Sequence, residues 1–179
     1  SSEEIAATGM RLNLETTDLD SDGTLDRRDW DFYRAWRAAR NILMAIRGGG
    51  RGDLTGTDRV LWTMQKFLPN VPSPLIYEGV LYLIKDGGIL SAVDAKTGEI
   101  LKQGRLTGAL DTYYASPIAA AGKVITVSQQ GKATVLKAGP QWEILATNDM
   151  EDEVYATPAA FGNRLYLRTR GALYCFEAR

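Results

Sequence analysis

The sequence contains no histidine. That absence removes the Ser-His-Asp and Cys-His nucleophilic arrangements, the HExxH zinc site and any histidine general base together. Cysteine is nearly as scarce. The single Cys175 cannot form an intrachain disulfide, and its apolar neighbours (Ala172, Leu173, Tyr174, Phe176) predict a buried small hydrophobe. No run of about 18 apolar residues is present, so no segment predicts a membrane span. Charge of one sign is lacking too. Lys and Arg number 21 against 22 Asp and Glu, which leaves no basic footprint and excludes nucleic acid as an expected partner. What remains is an ordinary globular composition, 179 residues and 45% hydrophobic, with length for one domain plus an appendage. The first residues, Ser1-Ser2-Glu3-Glu4, read as a processed start rather than a natural initiator, and no signal peptide is visible.

The most distinctive stretch is Asp18 to Asp29, DLDSDGTLDRRD. Asp18, Asp20 and Asp22 alternate, Gly23 follows, and Asp26 and Asp29 complete the set, in the register of a D-x-D-x-D-G calcium loop. A hard cation takes a shell of oxygens from one short, sharply bent segment. Asp18, Asp20 and Asp22 would give carboxylates and Thr24 its backbone carbonyl. Asp26 would reach the ion through water, and Asp29 would close the loop. Gly23 takes the turn, where a Cβ would be strained. Leu25 can anchor the loop to a core. The closing residue is usually Glu; Asp29 is one methylene shorter, which weakens Ca²⁺ and suits Mg²⁺ better. Trp30, Tyr33 and Trp36 recur at helical spacing after the loop. Glu3 to Leu14 predicts a weak helix before it. The expectation is an EF-hand-like helix-loop-helix over residues 1–40.

The rest of the chain repeats itself with a period of roughly forty residues, in the range of propeller blades. Copies open at Ser73-Pro74, Ser116-Pro117 and Thr157-Pro158. Each has a short apolar strand and a turn at Gly79, Gly122 or Gly162-Asn163, then a second strand (VLYLI, KVITV, RLYLR). A tight turn at Asp86-Gly87-Gly88, Gln130-Gly131 or Arg170-Gly171 leads to a third strand. In the first two copies a fourth strand follows, around EILKQ or WEILAT. Alternation, β-branched residues and glycine turns argue for antiparallel four-stranded meanders. Asn41 to Arg47 and Arg59 to Lys66 read as the last two strands of an earlier blade. The loop between them holds Arg51-Gly52-Asp53, which in a Gly-rich hairpin loop carries no adhesion argument.

Over Asn41 to Arg179 these copies resemble the quinoprotein-like (PQQ-like) β-propeller repeat. The clearest signature is Ala92-Val93-Asp94-Ala95-Lys96-Thr97-Gly98-Glu99, which follows the family's A-x-D-x-x-T-G blade motif. In that family a Trp a few residues later docks between blades; here Lys102 holds that place, so docking is altered. Trp62 and Trp142 read as inter-blade packing residues, and Asp94 as the cap of its own turn. The order of segments is similar to the C-terminal blades of bacterial secreted PQQ-like repeat proteins, some of which carry an inserted EF-hand. The resemblance implies a periplasmic or extracellular location. The fold class expected is mainly β, a partial propeller of four-stranded antiparallel blades over residues 41–179, with a small helical segment before it.

The function expected is a non-catalytic binding or scaffold module of propeller blades with one Ca²⁺ site, Mg²⁺ being the other candidate ion. The alternative is a fragment of a PQQ-dependent dehydrogenase. Many of those enzymes set a vicinal Cys pair against the cofactor, and this sequence has a single Cys, so PQQ is not expected. A Ca²⁺-sensing switch is disfavoured because sensor hands come in pairs. Tyr114 and Tyr155 precede the first strands of their copies, and Asn70 is the polar residue read as their match; they are candidates for a ligand-channel rim, with blade packing or turn anchoring the favoured reading. Expected partners are the remaining blades of the parent protein or other copies of the chain, and a protein or small ligand. Uncovered apolar faces predict that the isolated chain associates.

Overall fold

The structure is a computed structural model that describes Asp18, Leu19 and residues 21–177. The helix expected over Glu3 to Leu14, and Asp20, lie outside the described residues. The chain divides into two compact units, Ser1–Asn41 and Ile42–Arg179.

In the first unit, helix α1 (Arg27–Ala38) starts where Asp26 caps it. The Asp26 carboxylate accepts from the Arg28 and Asp29 amides at 2.7 and 3.1 Å. Asp29 returns the bond, accepting the Asp26 amide at 3.0 Å. Two of the helix's orphan donors are thereby satisfied reciprocally. Trp30 and Tyr33 stack at 5.9 Å, and Tyr33 meets Trp36 at 6.2 Å, as one-turn spacing dictates. The helix ends at Ala39, whose backbone is extended.

The second unit is strands joined by turns. The hairpin β1 (Leu43–Ile46) and β2 (Val60–Met64) is followed by a first sheet of β3 (Leu75–Tyr77), β4 (Val80–Lys85), β5 (Ile89–Asp94) and β6 (Ile100–Arg105). A second sheet holds β7 (Ile118–Ala120), β8 (Lys123–Val127), β9 (Lys132–Lys137) and β10 (Glu143–Asp149). A third holds β11 (Ala159–Phe161), β12 (Arg164–Arg168) and β13 (Leu173–Glu177). All pairings are antiparallel between consecutive strands. The registers Leu75↔Tyr82, Ile118↔Ile125 and Ala159↔Tyr166 superpose the three sheets residue by residue. The first strands β3, β7 and β11 are neighbours, with β7 in contact with both others.

The core lies between the sheets, not within them. On one side of the first sheet Leu81, Leu83 and Val93 pack with Leu43, Trp62 and Met64 of the hairpin. On the other, Tyr82, Leu90 and Ala92 pack with Val124, Leu136 and Trp142 of the second sheet. This is why VLYLI reads as a continuous apolar run: both faces of β4 are covered, and five of its residues are buried. A smaller core joins Val127 to Val154 and Leu167 of the third sheet. Each fully buried Leu or Val contributes about 1.5–3 kcal/mol.

The third sheet corrects one expectation. Cys175 is exposed, not buried. It lies opposite Tyr166 on the face turned away from the second sheet, and no further sheet covers that face among the described residues. The apolar neighbours of Cys175 describe a face that suits burial, while its exposure depends on what packs against it.

Candidate functional site

The acidic loop of the first unit is built around its two end residues. Asp18 accepts the amides of Asp22 (3.2 Å) and Gly23 (2.8 Å), which bends the chain back over its own start. Gly23 sits at φ +83°, the left-handed region where a side chain is strained. Asp22 accepts the Thr24 amide at 2.7 Å. Asp29 is buried and closes the loop from the far side. Its two oxygens accept Leu19 N–H at 2.9 Å and Asp26 N–H at 3.0 Å, tying both halves of the segment to the first turn of α1. The Leu19 bond, then the Asp26 bond, holds the Asp29 carboxyl below its usual value. Asp18 and Asp22 are thus on the loop, Asp26 caps α1 and Asp29 stands in its first turn, with Asp20 outside the described residues. Among the described residues no three such groups converge as a metal cluster. The donor set is all oxygen, and a carboxylate oxygen that accepts one amide retains a lone pair, which is the chemistry of a hard cation.

The second candidate lies at one end of β3, β7 and β11. A hydroxyl relay runs along it. The Ser73 amide donates to Ser116 Oγ at 2.9 Å, and the Ser116 amide donates to Thr157 Oγ1 at 3.0 Å. Ser116 and Thr157, which open the second and third copies, are therefore each the acceptor for the copy before. Beside the relay, exposed Tyr114 and Tyr155 pair at 5.3 Å with their rings tilted by 44°. Gln129 Nε2 donates to the Tyr155 hydroxyl at 2.8 Å. That hydroxyl contacts Glu153 at 3.5 Å, and Arg170 pairs with the same carboxylate at 3.3 Å. Asp86, Gln129 and Arg170 occupy matching register positions in the three sheets, which sequence reasoning missed. Their signal was available: each stands at or just before the glycine turn of its copy.

Asn70 is placed differently. Tyr114 and Tyr155 stand two residues before Ser116 and Thr157, and the residue two before Ser73 is Val71, 58% exposed. Asn70 instead donates to Asp86 at 3.3 Å, beside the Tyr113 amide that Asp86 also accepts at 2.9 Å. Tyr113 is buried, with its hydroxyl on Ala109 O at 2.7 Å, and burial pushes its phenol well up.

The residues expected to pack between blades lie between the sheets. Trp62 Nε1 donates to Ala95 O at 3.2 Å, and its ring lies so close to Gly98 that a Cβ there would sit 2.7 Å away. Asp94 caps its turn through the Lys96 and Thr97 amides at 2.8 and 2.9 Å. The Thr97 bond leads the causes that hold its carboxyl low. Lys102 pairs with Ala92 as Trp62 pairs with Ala45. Its ammonium lies 4.4 Å from the Trp142 ring centroid and donates to Trp142 O at 2.6 Å. Where the hairpin sends an indole donor into the next sheet's turn, the first sheet sends a cationic one. At the opposite end of the first strands, Ala120 stands where the first sheet has Tyr77, and an apolar cleft of about 350 Å³ opens between Ala120, Ile125, Leu165 and Phe176.

Successive four-stranded antiparallel meanders, packed face to face with first strands adjacent, are consecutive blades of a β-propeller: the first and second sheets whole, the third with three strands, the hairpin with two. No protein-family model matches the sequence, and no curated protein does. Among solved structures, BamB from Moraxella catarrhalis is similar, with a TM-score of 0.59 at 17% identity over 76% of this chain and 40% of that one. A quinohemoprotein alcohol dehydrogenase from Pseudomonas putida HK5 is similar too, with a TM-score of 0.52 at 14% identity over 61% of this chain and 19% of that one. The likeness is one of fold. The chain spans less than half the length of the structures it resembles. No helix among the described residues is long and apolar enough to cross a membrane.

Proposed function

We propose that the chain is a non-catalytic binding module whose blades engage a partner, with one Ca²⁺ held by the acidic loop. The observation that carries the reading is the exposed Tyr114–Tyr155 pair, in which the Tyr155 hydroxyl is held by Gln129 and Glu153. Half-exposed aromatic rings with polar groups around them make a surface suited to a protein or small ligand. The nearby carboxylates are tied down as anchors: Asp86 on Tyr113, Asp111 on Ser128 and Asp152 on Gly171. Other blades of the same protein, or further copies of the chain, remain the expected partners, in a periplasmic or extracellular setting.

The cation would be held by Asp18, Asp20, Asp22, the Thr24 carbonyl, Asp26 and Asp29, and would offset the mutual repulsion of five carboxylates close together in sequence. Calorimetric titration is expected to show Ca²⁺ binding at about 10⁻⁴ M or somewhat tighter, lost in Asp18→Ala. Absence of heat at millimolar Ca²⁺ would defeat the assignment; preference for Mg²⁺ would change the ion and keep the site.

The second reading, part of a PQQ-dependent dehydrogenase, has the quinohemoprotein fold likeness in its favour. It is tested by incubating the chain with PQQ and Ca²⁺ and running dye-linked assays over alcohols and aldoses. Turnover is expected to stay below about 1 s⁻¹, the low end of ordinary enzymes. Faster oxidation would replace the binding module with the enzyme.

A further inference from the structure

We infer that the cleft between the second and third sheets is a binding site for a small neutral aromatic molecule that carries a hydroxyl, that is, a phenol. The cleft opens at the opposite end of the first strands from the Tyr114–Tyr155 pair and is independent of that surface.

The two interfaces between sheets share one register and are filled differently. In the first, Tyr77 and Tyr82 reach from the first sheet into a cluster with Val124 and Leu136 of the second. The Tyr77 hydroxyl accepts the Gly122 amide at 3.1 Å, and the Tyr82 hydroxyl accepts the Gly139 amide at 2.6 Å. Val124 and Leu136 are 0% exposed there. In the second interface, Ala120 stands at the position of Tyr77, Ile125 at that of Tyr82 and Ala133 at that of Leu90. Leu165 and Phe176 of the third sheet stand where the second has Val124 and Leu136. Leu165 is half-buried and Phe176 is 44% exposed. The buried part of this interface is confined to its other end, at Val127, Val154 and Leu167. A cleft of about 350 Å³ remains, with Ala120 and Ile125 on one wall and Leu165 and Phe176 on the other. The second sheet has its fourth strand, β10, and Tyr77 and Tyr82 still fill the corresponding space against it. A strand outside β13 would therefore leave the cleft in place.

The lining sets the chemistry of the occupant. The walls are aliphatic apart from the Phe176 ring, which favours a flat aromatic partner. The volume lies at the lower end of small-molecule sites, so a whole free molecule fits between the two sheets. One charged acceptor stands at the rim. Glu177 Oε1 accepts Asn163 Nδ2 at 3.1 Å and pairs with Arg164 at 3.6 Å. A carboxylate engaged in this way keeps lone pairs, and a ligand hydroxyl can donate to one of them. An aromatic carboxylate would meet Glu177 as a like charge instead.

The probe is p-cresol, the tyrosine side chain as a free molecule, titrated into the full chain with Ile, Leu and Val methyl groups labelled for NMR. The Ile125 and Leu165 methyl resonances are expected to shift saturably with a Kd of about 10⁻⁴ M, within the ceiling for so small a ligand. Those of Leu83 and Val93, which face the hairpin, are expected to stay in place. Toluene is expected to bind about fivefold more weakly, the loss of one hydrogen bond, and Glu177→Ala to remove that difference. Ala120→Tyr restores the side chain of the first interface. It is expected to raise Tm by about 2–4 °C and to weaken p-cresol at least tenfold. Should that variant not fold, Ile125→Tyr, which copies Tyr82, occludes the same space. Absence of saturable shifts at millimolar p-cresol overturns the inference, as does equal affinity in the parent and a folded tyrosine variant. Tighter binding of benzoate than of p-cresol overturns the ligand class. The peptide Gly-Tyr-Gly binding more than tenfold tighter than p-cresol makes a partner's tyrosine the occupant and overturns it too. None of these readouts involves Ca²⁺, PQQ or the Tyr114–Tyr155 pair, so this failure is separable from failure of the proposed function.

Discussion

Replacing Trp142 by alanine is expected to destabilise the blade unit by about 4 kcal/mol, on the order of 10 °C in Tm. Trp142 is 4% exposed and belongs to the turn before β10, yet it packs on the preceding blade. Its ring edge lies so close to Gly104 that a Cβ there would be 3.1 Å away, and the Lys102 ammonium sits over its face. Truncation removes the largest side chain of that interface and leaves Lys102 above a cavity. Trp142→Phe is expected to cost under about 1.5 kcal/mol, because the indole N–H is buried without a hydrogen-bond partner and its removal offsets lost contact. Urea unfolding followed by far-ultraviolet circular dichroism measures both. An alanine variant within about 1.5 kcal/mol of the parent would mean that the blades do not dock through this ring.

A second large effect is expected at Gly131. Its φ of +82° already disfavours a side chain, and a Cβ there would stand 2.3 Å from Asp152 O, on the linker that precedes the third blade. Backbone has to move, so Gly131→Ala is expected to cost about 3 kcal/mol or more. Gly122→Ala is the control. Gly122 has a similar φ of +70° and nothing within 4 Å of a Cβ, leaving the left-handed strain of about 1–2 kcal/mol. Equal losses at the two positions would show that the Gly131–Asp152 approach contributes nothing.

The blades were legible in the sequence because strand alternation, the Ser/Thr-Pro openings and the turn glycines are local signals, and each sheet forms between neighbouring segments. The Asp94 cap and the Trp62 dock were legible for the same reason: a motif carries them. What was not legible depends on the neighbouring sheet. Lys102 shows in sequence that the motif's tryptophan is gone; that its ammonium engages Trp142, forty residues on, is a fact of packing. Cys175 was expected inside because its neighbours are apolar, and it is outside because its face meets no sheet among the described residues. The Tyr155 network draws on Gln129 and Arg170, which stand in different copies and become visible once register is known. Asn70 was matched to the tyrosines by polarity, whereas register gives that place to Val71.

The hydroxyl relay also sets a clock. Every forward bond is made by a residue that leaves the ribosome before its acceptor: Ser73 waits 43 residues for Ser116, and Ser116 waits 41 for Thr157. At about 5–20 residues per second, each opening serine waits roughly 2–9 s for its acceptor. The sheet hydrogen bonds are complete long before then, since hairpins form in about 1–10 μs. Synthesis therefore builds the stack one blade at a time, and the most recently made sheet is always the vulnerable one.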